Sequence, residues 1–288
     1  MNTRKAIITE SEALLGLRGF AEVYEEVAAT RMGKVRKSVV LARDFLGGLM
    51  EIFSQVRFNQ KQKDSGVLTM TTLNQNGRTV VVFISANSGL YGDIIERIFV
   101  DFVRFVRENK VDVVVVGKYG LRMMQERLPE VLFNYFDFPD ENVDLENLGL
   151  IMRYLLQFEK ILVFYGKFVN IVTQVSSVAN VSGDDLQIPS ASWRTKSQIP
   201  KKDLYLFEPS LREVLGVFES EILASIFEQT LHESLLAKFA SRMLSLDRAI
   251  EGIDKNMLKM KFDLRNLKHK MDNKKQLTRI SGMSLWDQ

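Results

Sequence analysis

The stretch LAKFASRMLSLDRAIEGIDKNMLKMKFDLRNLKHKM, residues 236–271, carries an apolar repeat with no miss. Its members are Leu236, Phe239, Met243, Leu246, Ile250, Ile253, Met257, Met260, Leu264, Leu267 and Met271, separated by alternating steps of three and four. That average of about 3.5 residues keeps one seam of a helix facing a partner helix in a left-handed coiled coil. No proline follows Pro209, so the spacing predicts one helix from Ser210 to about Ile280. At about 1.5 Å of rise per residue it would be roughly 105 Å long, far beyond an ordinary globular helix.

The other end of the chain offers the matching surface. Val35, Val39, Ala42, Leu46, Leu49, Phe53 and Val56 again alternate steps of four and three, and Leu17, Phe20, Tyr24, Ala28 and Met32 extend the stripe less strictly. A helix over 11–58 follows, although five glycines (Gly16, Gly19, Gly33, Gly47 and Gly48) each weaken it by up to about 1 kcal/mol relative to alanine. Packing along a seam can offset that cost. The simplest arrangement pairs the two terminal helices antiparallel. The alternative is two separate long helices, each bound to another protein.

Between them the periodicity changes. Arg78–Ser85 and Val111–Val116 are β-branched runs of the kind buried on both faces of a sheet. Val131–Phe136, Lys160–Tyr165 and Val169–Val178 read as further strands. Helical spacing follows Gly92, recurs over Tyr119–Arg127 up to Pro129, and recurs again over Asp144–Phe158, with Asp144 as cap. Alternation of this sort predicts a central Rossmann-like α/β domain over 78–181 with a largely parallel sheet. A loop or foot segment over 182–209 and a C-terminal helix over 210–283 complete the organisation, and 59–77 reads as an exposed loop.

The chain has no cysteine, which excludes disulfides and thiolate metal sites. No apolar run reaches the ~18 residues of a membrane span, so a soluble intracellular protein is expected. Its 39 basic and 36 acidic side chains nearly cancel. Basic residues gather near the C-terminus, from Lys255 to Arg279, but aromatic stacking platforms are nearly absent among them, which argues against nucleic acid. A solvated face, or one meeting an acidic protein sleeve, suits them better.

Chemistry is sparse. Gly-Lys pairs at 33, 117 and 166 are never followed by Ser or Thr, so no Walker-type loop exists. The two histidines, His232 and His269, read as helix-surface residues rather than ligands, and no carboxylate pair is placed for acid–base work. The loop SANSGLYGD, Ser85–Asp93, lies between a strand and a helix, where α/β proteins bind anions; it reads as a phosphate cradle or as a tight structural turn. No cofactor is expected.

Several segments resemble the gamma subunit of F-type ATP synthases, and they occur in the family's order over residues 20–283. EVAATRMGKVRKSV (26–39) resembles the family's N-terminal helix, ISANSGLYGD (84–93) its first strand and loop, VVVVGKYG (113–120) its second strand, and FYGKFVNIVTQVSSV (164–178) a later segment. LYLFEPSLREVLGVFESEILASIFEQTLHESLLAKFASRMLSLDRAIEG (204–252) resembles the start of its C-terminal helix with register kept, and KKQLTRISG (274–282) its ending.

The resemblance implies a non-catalytic central-stalk rotor that transmits torque between a membrane c-ring and a catalytic hexamer of alpha and beta subunits. Its partners would be those subunits, the epsilon subunit and the c-ring, with membrane contact only through the complex, at the cytoplasmic face of the cell membrane. Subunit contacts would fall at Arg31, Met32, Arg242, Met243, Lys274, Lys275 and Gln276, and the foot meeting the c-ring and epsilon at Tyr205, Phe207 and Glu208. Two departures stand out: Lys274-Lys275-Gln276 replaces a Thr-Gln-Glu, and ITESEALLGLRGF (8–20) replaces a basic run. The alternative function is a coiled-coil scaffold or adaptor, or, less in keeping with the heptads, an α/β enzyme with helical arms.

Overall fold

The computed structural model describes residues 2–61, 76–140, 143–182, 208 and 210–283. Two long helices bracket the chain, α1 (Asn2–Lys61) and α5 (Leu211–Met283). Between them run β1 (Thr79–Ile84), α2 (Ile94–Glu108), β2 (Asp112–Val116), α3 (Lys118–Arg127), β3 (Phe133–Phe136), α4 (Leu145–Leu155), β4 (Lys160–Phe168) and β5 (Gln174–Asn180). Two compact units result, Met1–Ala28 with Met243–Gln288, and Ala29–Arg242. Both long helices contribute to both units.

The larger unit contains one five-stranded sheet in the order β3-β2-β1-β4-β5. β1 pairs parallel with β2 and β4, β2 pairs parallel with β3, and β5 closes the edge antiparallel to β4. The β-branched runs are buried because helices cover both faces. On one face Phe83 stacks with Phe102 at 5.2 Å, and Phe102 meets Phe164 edge-on at 5.7 Å, fixing α2. On the other, Val80, Val82, Ile84 and Val163 form one core with Ile151 and Leu155 of α4 and Leu223, Phe227 and Leu231 of α5. The helical step of four in those α5 residues makes the stripe that lies on the sheet.

The remaining stripe of α5 in this unit packs on α1. Phe53, Leu215 and Ile222 form a buried cluster with Leu46, Leu49, Met50 and Phe218 around it. Arg43 reaches Glu233 at 2.6 Å, while Phe53 meets Phe218 with ring centroids 6.4 Å apart. Contacts that climb α1 descend α5, so the two helices are antiparallel here.

In the smaller unit Leu246 is buried, and Ile250, Ile253, Met257, Met260, Leu264 and Leu267 are half-buried, which is the seam the repeat predicts; Met271 is 40 % exposed. The α1 side differs from expectation. Leu17, Phe20 and Tyr24 are exposed, and the inward positions are Ile7, Ser11, Leu14, Arg18, Ala21, Glu25 and Ala28. They continue, in strict steps of four and three, the heptads that begin at Val35, so register outweighs the apolar character of Leu17 and Phe20. Arg18 occupies its seam position because its guanidinium donates to Asp254 at 2.8 Å on α5.

Two further expectations change. The segment from Val169 begins as a turn: the Asn170 side chain accepts from the amides of Val172 and Thr173, and only Gln174 onwards pairs with β4. His232 is buried rather than on the surface, with Glu228 at 3.6 Å from Nε2. The foot residues Tyr205 and Phe207 lie outside the described residues, as do most of the two polar segments read as loops. Asp144 does cap α4, accepting from the Glu146 amide.

Candidate functional site

Where β1 ends, the sheet's strand order reverses: β2 and β3 lie to one side of β1, β4 and β5 to the other. Open α/β sheets bind their ligands in the crevice at the carboxyl ends of strands flanking such a switch point. Here the crevice is filled by the chain itself. Lys238 of α5, 4 % exposed, donates from Nζ to the Ser85 carbonyl at 2.9 Å and to an Asp140 carboxylate oxygen at 3.1 Å. A void of about 10 Å³ remains beside Ser85, Gly117, Phe138, Leu235 and Lys238. That is space for at most about one water.

Asp140, in the loop after β3, stands where a phosphate would. Its Oδ2 accepts from the backbone amides of Asn87 at 2.7 Å and Ser88 at 2.9 Å, and from Ser88 Oγ. Two amides of the SANSGLYGD loop, those of Asn87 and Ser88, are therefore satisfied by an internal anion, which favours the structural turn of its two sequence readings. Burial pushes the Asp140 carboxyl upward, but the Lys238 ammonium and the two amides outweigh it and leave it below the ordinary 3.8. Burial draws Lys238 below its ordinary 10.5, against the pull of Asp140.

One turn on, Arg242 continues the grip. Its guanidinium donates to the Gly89 carbonyl at 2.7 Å, to Ser88 Oγ at 3.1 Å and to the Leu90 carbonyl at 3.3 Å, and lies 3.8 Å from the centre of the Tyr91 ring. Leu90 has φ +66°, a left-handed conformation that costs an ordinary residue of order 1 kcal/mol and persists only where surroundings impose it. The loops after β1 and β2 are locked together beneath. Ser85 Oγ donates to the Val116 carbonyl at 2.7 Å and accepts from the Gly120 amide at 2.9 Å. Gly117, at φ +100°, leaves no room for a side chain: a Cβ would stand 2.8 Å from Ser85 Oγ.

A second polar cluster lies on α5 at Glu233, 7 % exposed. Its carboxylate accepts from Arg43 of α1 at 2.6 Å, from Gln229 at 3.3 Å and from the Tyr165 hydroxyl of β4 at 3.4 Å. Burial, then the Glu233 charge, pushes the Tyr165 phenol from 10 up to about 12. The neutral phenol's contribution to stability is thus complete below pH 10 and lost as pH rises through about 12. Spectrophotometric titration should show a tyrosine phase lagging the ordinary one, absent from Tyr165→Phe; an unchanged high-pH limb in that variant would refute the assignment.

The residues singled out by resemblance are dispersed. Arg242 is buried in the clamp just described, and Met243, its neighbour, is half-buried on α5. Arg31 and Met32 are half-buried on α1; Lys274, Lys275 and Gln276 are exposed near the end of α5, and Glu208 is exposed. Asp140, Lys238 and Glu233 were absent from the sequence reading. The detectable sign was a lysine and a glutamate inside an otherwise apolar helical stretch, LLAKFA preceded by HES. Among the described residues no group of acidic or histidine side chains could hold a metal ion, and none of the helices is long and apolar enough to cross a membrane.

Comparison with known proteins agrees with this architecture. The chain is 23 % identical over 265 residues to the ATP synthase gamma chain of Ruthia magnifica, covering 88 % of each, and 21 % identical over 246 residues to that of Geotalea daltonii, covering 81 % of each. Its fold resembles a chain in the central stalk and c-ring structure of Tetrahymena thermophila mitochondrial ATP synthase, with TM-score 0.57 and 19 % identity over 80 % of this chain and 99 % of that one. A chain of the Euglena gracilis mitochondrial enzyme in its third rotational state gives TM-score 0.54 at 13 % identity, covering 92 % of this chain and 94 % of that one. With residues 20–270 matching the family model described as ATP synthase, spanning both long helices and the sheet between them, this chain belongs to the ATP synthase family.

Proposed function

We propose that the chain is the gamma subunit of an F-type ATP synthase, the central-stalk rotor that carries torque between the membrane c-ring and the catalytic alpha/beta hexamer. The observation that carries the reading is the family match running along residues of both long helices and the mixed sheet that lies between them in the chain. A heptad seam packed between two helices resists bending and twisting, which suits a shaft. The crevice where an α/β enzyme would hold its ligand is filled by Lys238 and Asp140, which suits a subunit that performs no chemistry.

In this reading the alpha and beta subunits, an epsilon subunit and the c-ring are the partners, and the protein is peripheral, at the cytoplasmic face of the cell membrane. Arg31, Met32, Met243 and the exposed Lys274, Lys275 and Gln276 would meet the hexamer, and Tyr205, Phe207 and Glu208 the c-ring and epsilon. Arg242 belongs to the same set by resemblance, and within the chain it also holds the loop after β1. A scaffold role has no observation in its favour that the rotor role lacks.

The test is affinity purification of the tagged native protein with subunit identities and stoichiometry by mass spectrometry. One copy recovered with three each of two nucleotide-binding subunits is the expected result. Recovery alone, or with unrelated partners, would favour a scaffold. Separately, the purified chain should show no ATP turnover; robust activity from a clean preparation would remove the non-catalytic assignment.

A further inference from the structure

We propose that Lys238, Asp140 and Arg242 form the joint through which torque passes between α5 and the sheet. The inference rests on the rotor reading and deepens it by naming the contact that bears the load. Along most of the larger unit α5 is held by apolar packing, Leu223, Phe227 and Leu231 on the sheet. Apolar attraction is non-directional, so resistance to twist along that stretch comes from interlocking shape alone. At Lys238 the contact changes to directed, charge-assisted hydrogen bonds, which fix geometry as well as energy.

The partner of that lysine is itself tied to backbone. Asp140 holds Lys238 with one oxygen and the Asn87 and Ser88 amides with the other, so displacement of α5 pulls directly on the loop leaving β1. Arg242 draws on the same loop one turn later, through the Gly89 and Leu90 carbonyls. The left-handed backbone at Leu90 accompanies the carbonyl direction that Arg242 uses. On the other flank Glu233 is held by Arg43 and Tyr165. At 3.6 residues per turn, Glu233 lies about 140° round the helix from Lys238 and about 180° from Arg242. Grips on opposed flanks resist rotation of a helix about its own axis; a grip on one flank would let it roll.

Stability alone does not account for the arrangement. A buried ion pair is often no more stabilising than apolar residues of similar volume, so directional stiffness is the property that an apolar replacement would lose.

The experiment uses the assembled complex with the hexamer immobilised, reading the torsional stiffness of the stalk from thermal fluctuations of a bead on the rotor, and ions pumped per ATP hydrolysed. The Lys238→Met/Asp140→Leu double variant leaves no unpaired buried charge. It should assemble with normal stoichiometry while stiffness falls measurably and coupling drops under load. Arg242→Lys keeps the charge and loses the fork, and should show a smaller fall in stiffness; if the double variant does not assemble, this variant decides. Unchanged stiffness and coupling in correctly assembled variants would overturn the joint. Failure of the rotor reading looks different: the unaltered chain would not be recovered with a hexamer at all.

Discussion

Asp140→Leu, made alone, is expected to lower folding stability by about 3–5 kcal/mol, because it leaves Lys238 as an uncompensated charge inside the protein. The same change removes the partner of the Asn87 and Ser88 amides, which otherwise bond to the carboxylate at 2.7 and 2.9 Å. Denaturant unfolding of the full chain reads the effect directly. Adding Lys238→Met should recover much of the loss, since the buried charge disappears with it. A single-variant loss under about 1 kcal/mol would mean that the pair contributes no more than an exposed one.

The same variant predicts a pH signature. The folded-state carboxyl of Asp140 lies below 3.8, so its contribution is complete above that pH and disappears as pH falls through the lower folded value. The part of the stability gap between the parent and Asp140→Leu that comes from this carboxyl should therefore narrow as pH falls below about 4. A gap that closed already near pH 6 would assign the effect to some other group.

Ile253→Pro is the second change with a large expected effect. Ile253 is half-buried in the seam of the smaller unit, in the interior of α5. Proline there removes the amide that bonds to the Ala249 carbonyl and places its ring against that carbonyl, costing about 3 kcal/mol or more. The kink also turns the seam residues beyond it, from Met257 to Leu267, away from α1. In the complex, ATP hydrolysis should continue while ion pumping falls; normal coupling would argue that this part of the coil bears no torque. Circular dichroism of the isolated chain would separate a local kink from general unfolding.

How much of this could be read in advance varied with the range of the interaction. Both seams in the C-terminal halves of the repeats were legible, because heptad spacing is a local property that any stretch of helix expresses. The N-terminal stripe was misread at Leu17, Phe20 and Tyr24 because these look like seam residues by composition. Register from Val35 backwards selects Arg18 and Ala21 instead, and Arg18 is tolerated only because Asp254 lies opposite on α5. Strands β1 and β2 were visible as β-branched runs. The turn at Asn170 was hidden within the apolar NIVT segment, since Asn170 acts through a side-chain hydrogen bond rather than through hydropathy.

The sequence by itself determined the two long helices, the alternating α/β centre and the absence of catalytic motifs, because periodicity, proline placement and motif spacing are all local. Only the tertiary structure decided what the SANSGLYGD loop does. Asp140 is 52 residues from the Ser88 amide and 98 from Lys238, and nothing local marks it as their partner. The three meet because the order β3-β2-β1-β4-β5 brings the loops after β1 and β3 to one end of the sheet, where α5 crosses. Long-range polar pairing depends on that topology, and once the charges are buried, each group's cost of desolvation requires the others to be there.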